Sequence, residues 1–249
     1  MKYIMINDND NDNYKIYVNR IYDNIQKLDG IEYLFKYMGL YCILYGLLYS
    51  FFFKNILFIK LNYNRKLYVI KNIAKSIGLF FLSIYSSKTL YNAVVYDIWD
   101  NKKIHILGFM YASSDILSLI LVRKLPNSTK IHHTSVLFLC IVNSLTDYSI
   151  PIHWRGIVIY AFFSSYTYLV NTYLGVRLVT SKENSKLICR LAMYIYVILC
   201  TVCWIYQFNN YIYWIFNKFT FSLLINMFLI SMVIYDDLIL IDYLKKNSY

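Results

Sequence analysis

The chain is divided into apolar runs of roughly 17 to 25 residues, the length an α-helix needs to cross about 30 Å of hydrocarbon. They fall at 33–53, 77–96, 104–122, 131–150, 157–178, 187–208 and 219–235. Only 16% of the 249 residues are charged, against about 25% in a soluble domain, and the mean hydropathy is +0.43. The pattern predicts an all-α fold, a multi-pass transmembrane helical bundle of about seven spans. Segment 77–96 fits least well, because Lys88 interrupts it. The expected organisation is a polar acidic N-terminal tail over 1–32, a first span and basic loop over 33–60, a helical bundle over 61–241 and a short cytoplasmic tail over 242–249. The tail has no apolar core flanked by a cleavage site, so the first helix is expected to direct insertion.

The net charge of +11 does not point to nucleic acid, because the basic residues sit in short connections between apolar runs and not on one face. They read as topology instead. The first connection carries Lys54, Lys60, Arg65, Lys66, Lys71 and Lys75; the third carries Arg123, Lys124 and Lys130; the fifth carries Lys182, Lys186 and Arg190. The others hold only Lys88, Lys102 and Lys103, then Arg155, then Lys218. Odd connections are therefore expected in the cytoplasm, with the N-terminus lumenal and the C-terminus cytoplasmic. The glycosylation triplet Asn127-Ser128-Thr129 then faces the cytoplasm and is expected to stay unmodified. Lys245-Lys246, one position out of register with a dilysine retrieval signal, adds little to an endoplasmic-reticulum address.

The 28 tyrosines are scattered through runs and connections alike, so no site is read from their number. The cysteines lie in or beside apolar runs, where they act as small hydrophobes. Cys200 and Cys203 have CxxC spacing but no second ligand pair nearby, so no metal site is expected there.

Polar chemistry concentrates around Asp115, inside an apolar run, and His132-His133, which open the next one. An acid in hydrocarbon is costly and marks a functional site by default. Helical spacing places Tyr111, Asp115 and Ser118 on one face; His133, Cys140 and Asp147 on a second, with Asn143 beside them; and Tyr160, Ser164, Thr167 and Asn171 on a third. Ser164, Thr167 and Asn171 read as interhelical hydrogen-bonding residues. Asp115 and the histidines read as a site, in which a carboxylate fixes the tautomer of a base or nucleophile. Adjacent histidines point about 100° apart on a helix, so they are not expected to share a metal ion.

Ser114-Asp115 in an apolar helix, a short basic turn, Ile131-His132-His133-Thr134 and then Trp154-Arg155-Gly156 resemble the TLC domain. That family includes ceramide synthases and translocon-associated membrane proteins, and the similarity extends over about 65–240. In the synthase branch the resemblance implies acyl transfer from acyl-coenzyme A, as co-substrate, to a sphingoid amine, with His132, His133 and Asp115 catalytic. That branch carries a further His and Asp cluster on the following helix, whereas 156–171 here contains no His, Asp or Glu. The leading expectation is accordingly a TLC-type protein of the endoplasmic reticulum that binds, senses or regulates membrane lipids. Tyr111, Ser114, Asp115, His132, His133 and Asn143 are its expected lipid contacts, with no resident cofactor. The alternatives are the acyltransferase and an accessory of translocation or cargo export.

Overall fold

A computed structural model describes residues 31–122 and 125–248, so the N-terminal tail expected over 1–32 lies almost wholly outside the described residues, as do Arg123, Lys124 and Tyr249. The described residues form α-helices and connections, with no strand. Five helices are long and apolar enough to cross a membrane: α1 (Ile31–Phe52), α3 (Tyr63–Tyr96), α4 (Asn101–Leu121), α8 (Lys182–Asn217) and α9 (Phe221–Ser248). The short α2 (Ile56–Ile59) follows α1; between α4 and α8 come α5 (Asn127–Leu145), α6 (Arg155–Ser165) and α7 (Tyr168–Val176).

Polar side chains set the helix boundaries. Asn62 Oδ1 caps α3 by accepting from the Arg65 amide at 3.0 Å, and Asp100 caps α4 through Lys103 at 3.1 Å. Asp97 ends α3 in the left-handed region, at φ 52°, which aspartate tolerates better than most residues. Pro126, with its ring-fixed φ, precedes α5.

Three boundaries differ from the sequence reading. α3 runs unbroken from Tyr63, so Lys71 and Lys75, read as loop charges, lie on a helix and are buried. α5 ends at Leu145, which leaves Asp147 outside the helix and exposed; its carboxylate accepts from Ser149 and Asn101. The run 157–178 is broken at Tyr166 and Thr167 into α6 and α7. There the Ser165 and Thr167 hydroxyls bond the carbonyls of Phe162 and Ser164, both at 2.7 Å, and the amides of Tyr166 and Thr167 take tight i to i−3 bonds.

The main core joins α3, α4, α5, α6, α8 and α9 through residues such as Leu82, Leu107, Val136, Ile159, Cys203 and Ile230. α3 packs most extensively on α7, and α8 on α9. The close approach of α3 and α7 requires Gly175, where a Cβ would lie 2.5 Å from Ile73 Cγ1 and 3.2 Å from the Val69 carbonyl oxygen. The outer faces are apolar: Leu187, Leu191, Ile198, Ile205 and Phe208 of α8 are exposed, as are Phe221, Leu224 and Phe228 of α9. An apolar exterior over a core containing polar groups suits a hydrocarbon surround.

Candidate functional site

Asp115 is wholly buried at the centre of the site. It sits on the inner face of α4 with Tyr111, Ser114 and Ser118, all buried, and Ser118 Oγ donates to the Ser114 carbonyl at 2.7 Å, keeping its hydroxyl within α4. From α3, Lys75 Nζ donates to Asp115 Oδ1. A buried carboxylate is costly unless paired, and this ammonium supplies the opposite charge.

The two histidines come from the first turns of α5 and straddle the same carboxylate. His133 Nδ1 lies 3.1 Å from Asp115 Oδ1, and His132 Nε2 lies 3.8 Å from Asp115 Oδ2. Their rings are 5.6 Å apart and inclined by 75°. Neighbouring histidines diverge on their helix, but α4 packs along α5, so Asp115 lies between the two rings. One ligand atom from each of Asp115, His132 and His133 falls within a 4.8 Å group. That is a compass suited to a metal ion, but Lys75 already holds a positive charge against the carboxylate, which disfavours a divalent cation.

A further carboxylate completes the arrangement. Asp236 of α9 places Oδ2 3.3 Å from His132 Nδ1, so His132 stands between acids from two helices. Asp115 Oδ2, His132 Nδ1 and both ring nitrogens of His133 are buried without an aligned hydrogen bond. Polar atoms in that condition mark a site where a proton or a ligand atom has a place.

His132, His133, Lys75 and Asp236 border a cavity of about 320 Å³, which Tyr68, Lys71 and Arg177 also line, while Asp115 lies behind them. Ser164, Thr167 and Asn171 also line it, so three members of the expected third stripe face the site. The fourth, Tyr160, instead donates its hydroxyl to Asp237, which also receives Tyr196 at 2.6 Å. Tyr111 borders both this cavity and a smaller, almost wholly apolar one of about 50 Å³ between α4, α5, α6 and α9, and its hydroxyl shares a 2.9 Å hydrogen bond with Ser164.

Comparison with protein-family models, curated proteins and solved structures finds no match to this chain.

The sequence-derived residues divide in the fold. Asp115, His132 and His133 are brought together, and Tyr111 lines the cavity beside them. Ser114 is buried in α4 and directs its hydroxyl back to the Tyr111 carbonyl at 3.5 Å. Asn143 lines the small apolar cavity, its amide bonded to the His105 carbonyl at 3.3 Å and to the Tyr148 hydroxyl at 3.1 Å. Asp147 is tied to Asn101 and Ser149, apart from the histidines.

Sequence reasoning missed Lys75, Lys71, Arg177 and Asp236. The region 63–77 has no Gly or Pro to stop a helix, a signal that α3 begins well before its apolar run. Asp236-Asp237 interrupts the apolar sequence of α9, and the rule that singled out Asp115 applies equally there.

Proposed function

We propose that the chain is a multi-pass membrane protein of TLC-domain type that binds an amphiphilic lipid, with its polar head at Asp115, His132, His133 and Lys75, and acts in membrane-lipid homeostasis. One observation carries this reading: a partly polar cavity of about 320 Å³, bordered by titratable groups, lies inside a bundle whose exterior is apolar. A lipid head reaching such a cavity exchanges water for fixed donors and acceptors, while its chains remain among apolar side chains.

In this reading α5 and the α6–α7 pair complete a seven-span bundle. α5 has 19 residues, and α6 and α7 together run from Arg155 to Val176 across one tight turn, close to the length of a span. The site lies toward the end of the bundle where Asn55 Nδ2 donates to the Val179 carbonyl at 3.2 Å, which joins the two connections that Lys60, Arg65, Lys182 and Lys186 flank, and Arg190 Nε donates to the Ser248 carbonyl at 2.8 Å. The opposite end is held by Arg155 with Asp97 at 2.9 Å. The positive-inside rule supports a cytoplasmic site and a lumenal N-terminus, and the endoplasmic reticulum is the membrane proposed.

Asp236 favours a second reading, the acyltransferase. The acid absent from 156–171 is supplied by α9, so His132 has carboxylates near both nitrogens. In that chemistry the amine attacks the acyl thioester, its proton passes to His132, and the departing thiolate takes a proton in turn.

Microsomes containing the protein, given labelled acyl-coenzyme A and a sphingoid base, distinguish the two. An N-acylated product that disappears in His132→Ala establishes the enzyme. Without product, lipid co-purifying with wild type and lost from Lys75→Met/Asp115→Leu establishes the binder, and absence of both results refutes the lipid reading.

A further inference from the structure

Two cations at the cavity have no ion pair among the described residues. Lys75 is matched by Asp115, Asp236 stands against His132, and Asp237 receives the hydroxyls of Tyr160 and Tyr196. Lys71 and Arg177 remain. Lys71 is 3% exposed and lines the cavity, yet among the described residues it has no ion pair within 4.0 Å and no hydrogen bond; its Nζ lies 5.8 Å from the centre of the Tyr68 ring. Arg177 lines the same cavity, donates from Nη2 to the Tyr68 hydroxyl at 3.2 Å, and keeps Nε buried without a partner. Its guanidinium carbon lies 5.6 Å from the Tyr68 ring and 5.0 Å from that of Tyr243.

An unpaired buried ammonium is expensive, and cation–π contact offsets only part of that cost. Buried Lys71 and half-buried Arg177 against one tyrosine, with donors left over, form a built anion seat. A carboxylate would match one of the two charges; a phosphate monoester or pyrophosphate, with a charge near −2, matches both.

We infer that Lys71 and Arg177 bind the phosphate of a phosphate-bearing amphiphile, either a lipid phosphomonoester or an acyl nucleotide thioester, whose remaining polar groups reach Lys75 and His132. The inference rests on the amphiphile-binding reading above and names the chemical class of its ligand.

Titration calorimetry on the full chain in detergent tests it, with dioctanoyl phosphatidic acid, octanoyl-coenzyme A, inorganic phosphate and neutral dioctanoylglycerol as separate probes. At least one anionic amphiphile is expected to bind more tightly than dioctanoylglycerol; which one does so identifies the source of the phosphate. Lys71→Met and Arg177→Gln are each expected to weaken it by about tenfold or more, the effect of a lost charged hydrogen bond. Lys102→Gln, exposed at the opposite end, is expected to leave it unchanged.

Thermal unfolding gives an independent readout. Lys71→Met removes an uncompensated buried charge, so its ligand-free midpoint is expected to rise while the stabilisation by anionic amphiphile is lost. Equal binding of neutral and anionic amphiphiles, or variants that keep wild-type affinity for the anionic ones, overturns the phosphate seat and leaves the lipid reading standing. Absence of binding by every probe overturns both, and binding of inorganic phosphate alone overturns the amphiphile while keeping the anion seat.

Discussion

Around Asp115 the full opposite charge comes from Lys75, and the imidazoles of His132 and His133 add contacts at 3.8 and 3.1 Å. Breaking such a pair from one side leaves the other charge stranded, at a cost of about 3–5 kcal/mol, whereas removing both partners together costs far less. Lys75→Met and Asp115→Leu are each expected to lower the thermal midpoint in detergent sharply, with the double variant closer to wild type; additive losses would show that the pair does not act as a unit. Asp115 and the histidines were legible because an acid in an apolar run and a paired histidine are anomalies on sight. Lys75 was not, since a lysine between two apolar runs reads as a topological charge until the helix through it is known. Asp236 was hidden by the same logic, as a polar residue taken to end a span and not to lie within it.

At the scale of elements, α3 and α7 depend on a missing side chain. Gly175→Leu is expected to cost about 1–3 kcal/mol by forcing Ile73 and the Val69 carbonyl away, and the loss should appear as a lower unfolding midpoint. The connection from α5 to α6 depends on Asp147. Hydrogen bonds from the Ser149 hydroxyl, then from Asn101, hold its carboxyl below the usual carboxylate range. Because the folded form favours the carboxylate, this contribution is present at neutral pH and is lost as pH falls through the carboxyl range. Wild type should therefore exceed Asp147→Asn in midpoint at pH about 7 and lose that advantage toward pH about 3. The long apolar helices were readable from run length alone, but the break at Tyr166 and Thr167 was not. It involves neither Gly nor Pro and arises from hydroxyls competing for backbone carbonyls, which only the packed geometry reveals.

For the whole molecule, polar connections gather at two ends and apolar side chains face outward between them. In a Cys42→Ala background the four remaining cysteines are buried. Lys60→Cys and Lys102→Cys should then react with a membrane-impermeant maleimide from opposite sides of sealed microsomes, Lys60→Cys from the cytoplasmic side. Labelling of both from one side would overturn the proposed topology. The general helical architecture could be read from hydropathy, whereas the interior could not, since hydropathy is blind to which polar residues meet.

The contact of Lys75 with Asp115 also bears on how the chain is made. α3 and α4 are consecutive, yet each carries a charge that lipid would reject, and the charges are 40 positions apart in sequence. Neither helix can settle alone in hydrocarbon without exposing an ion. Insertion of α3 and α4 as a hairpin would satisfy Lys75 and Asp115 together and spare each the cost of meeting lipid alone, whereas Lys71 of α3 gains no ion pair from α4.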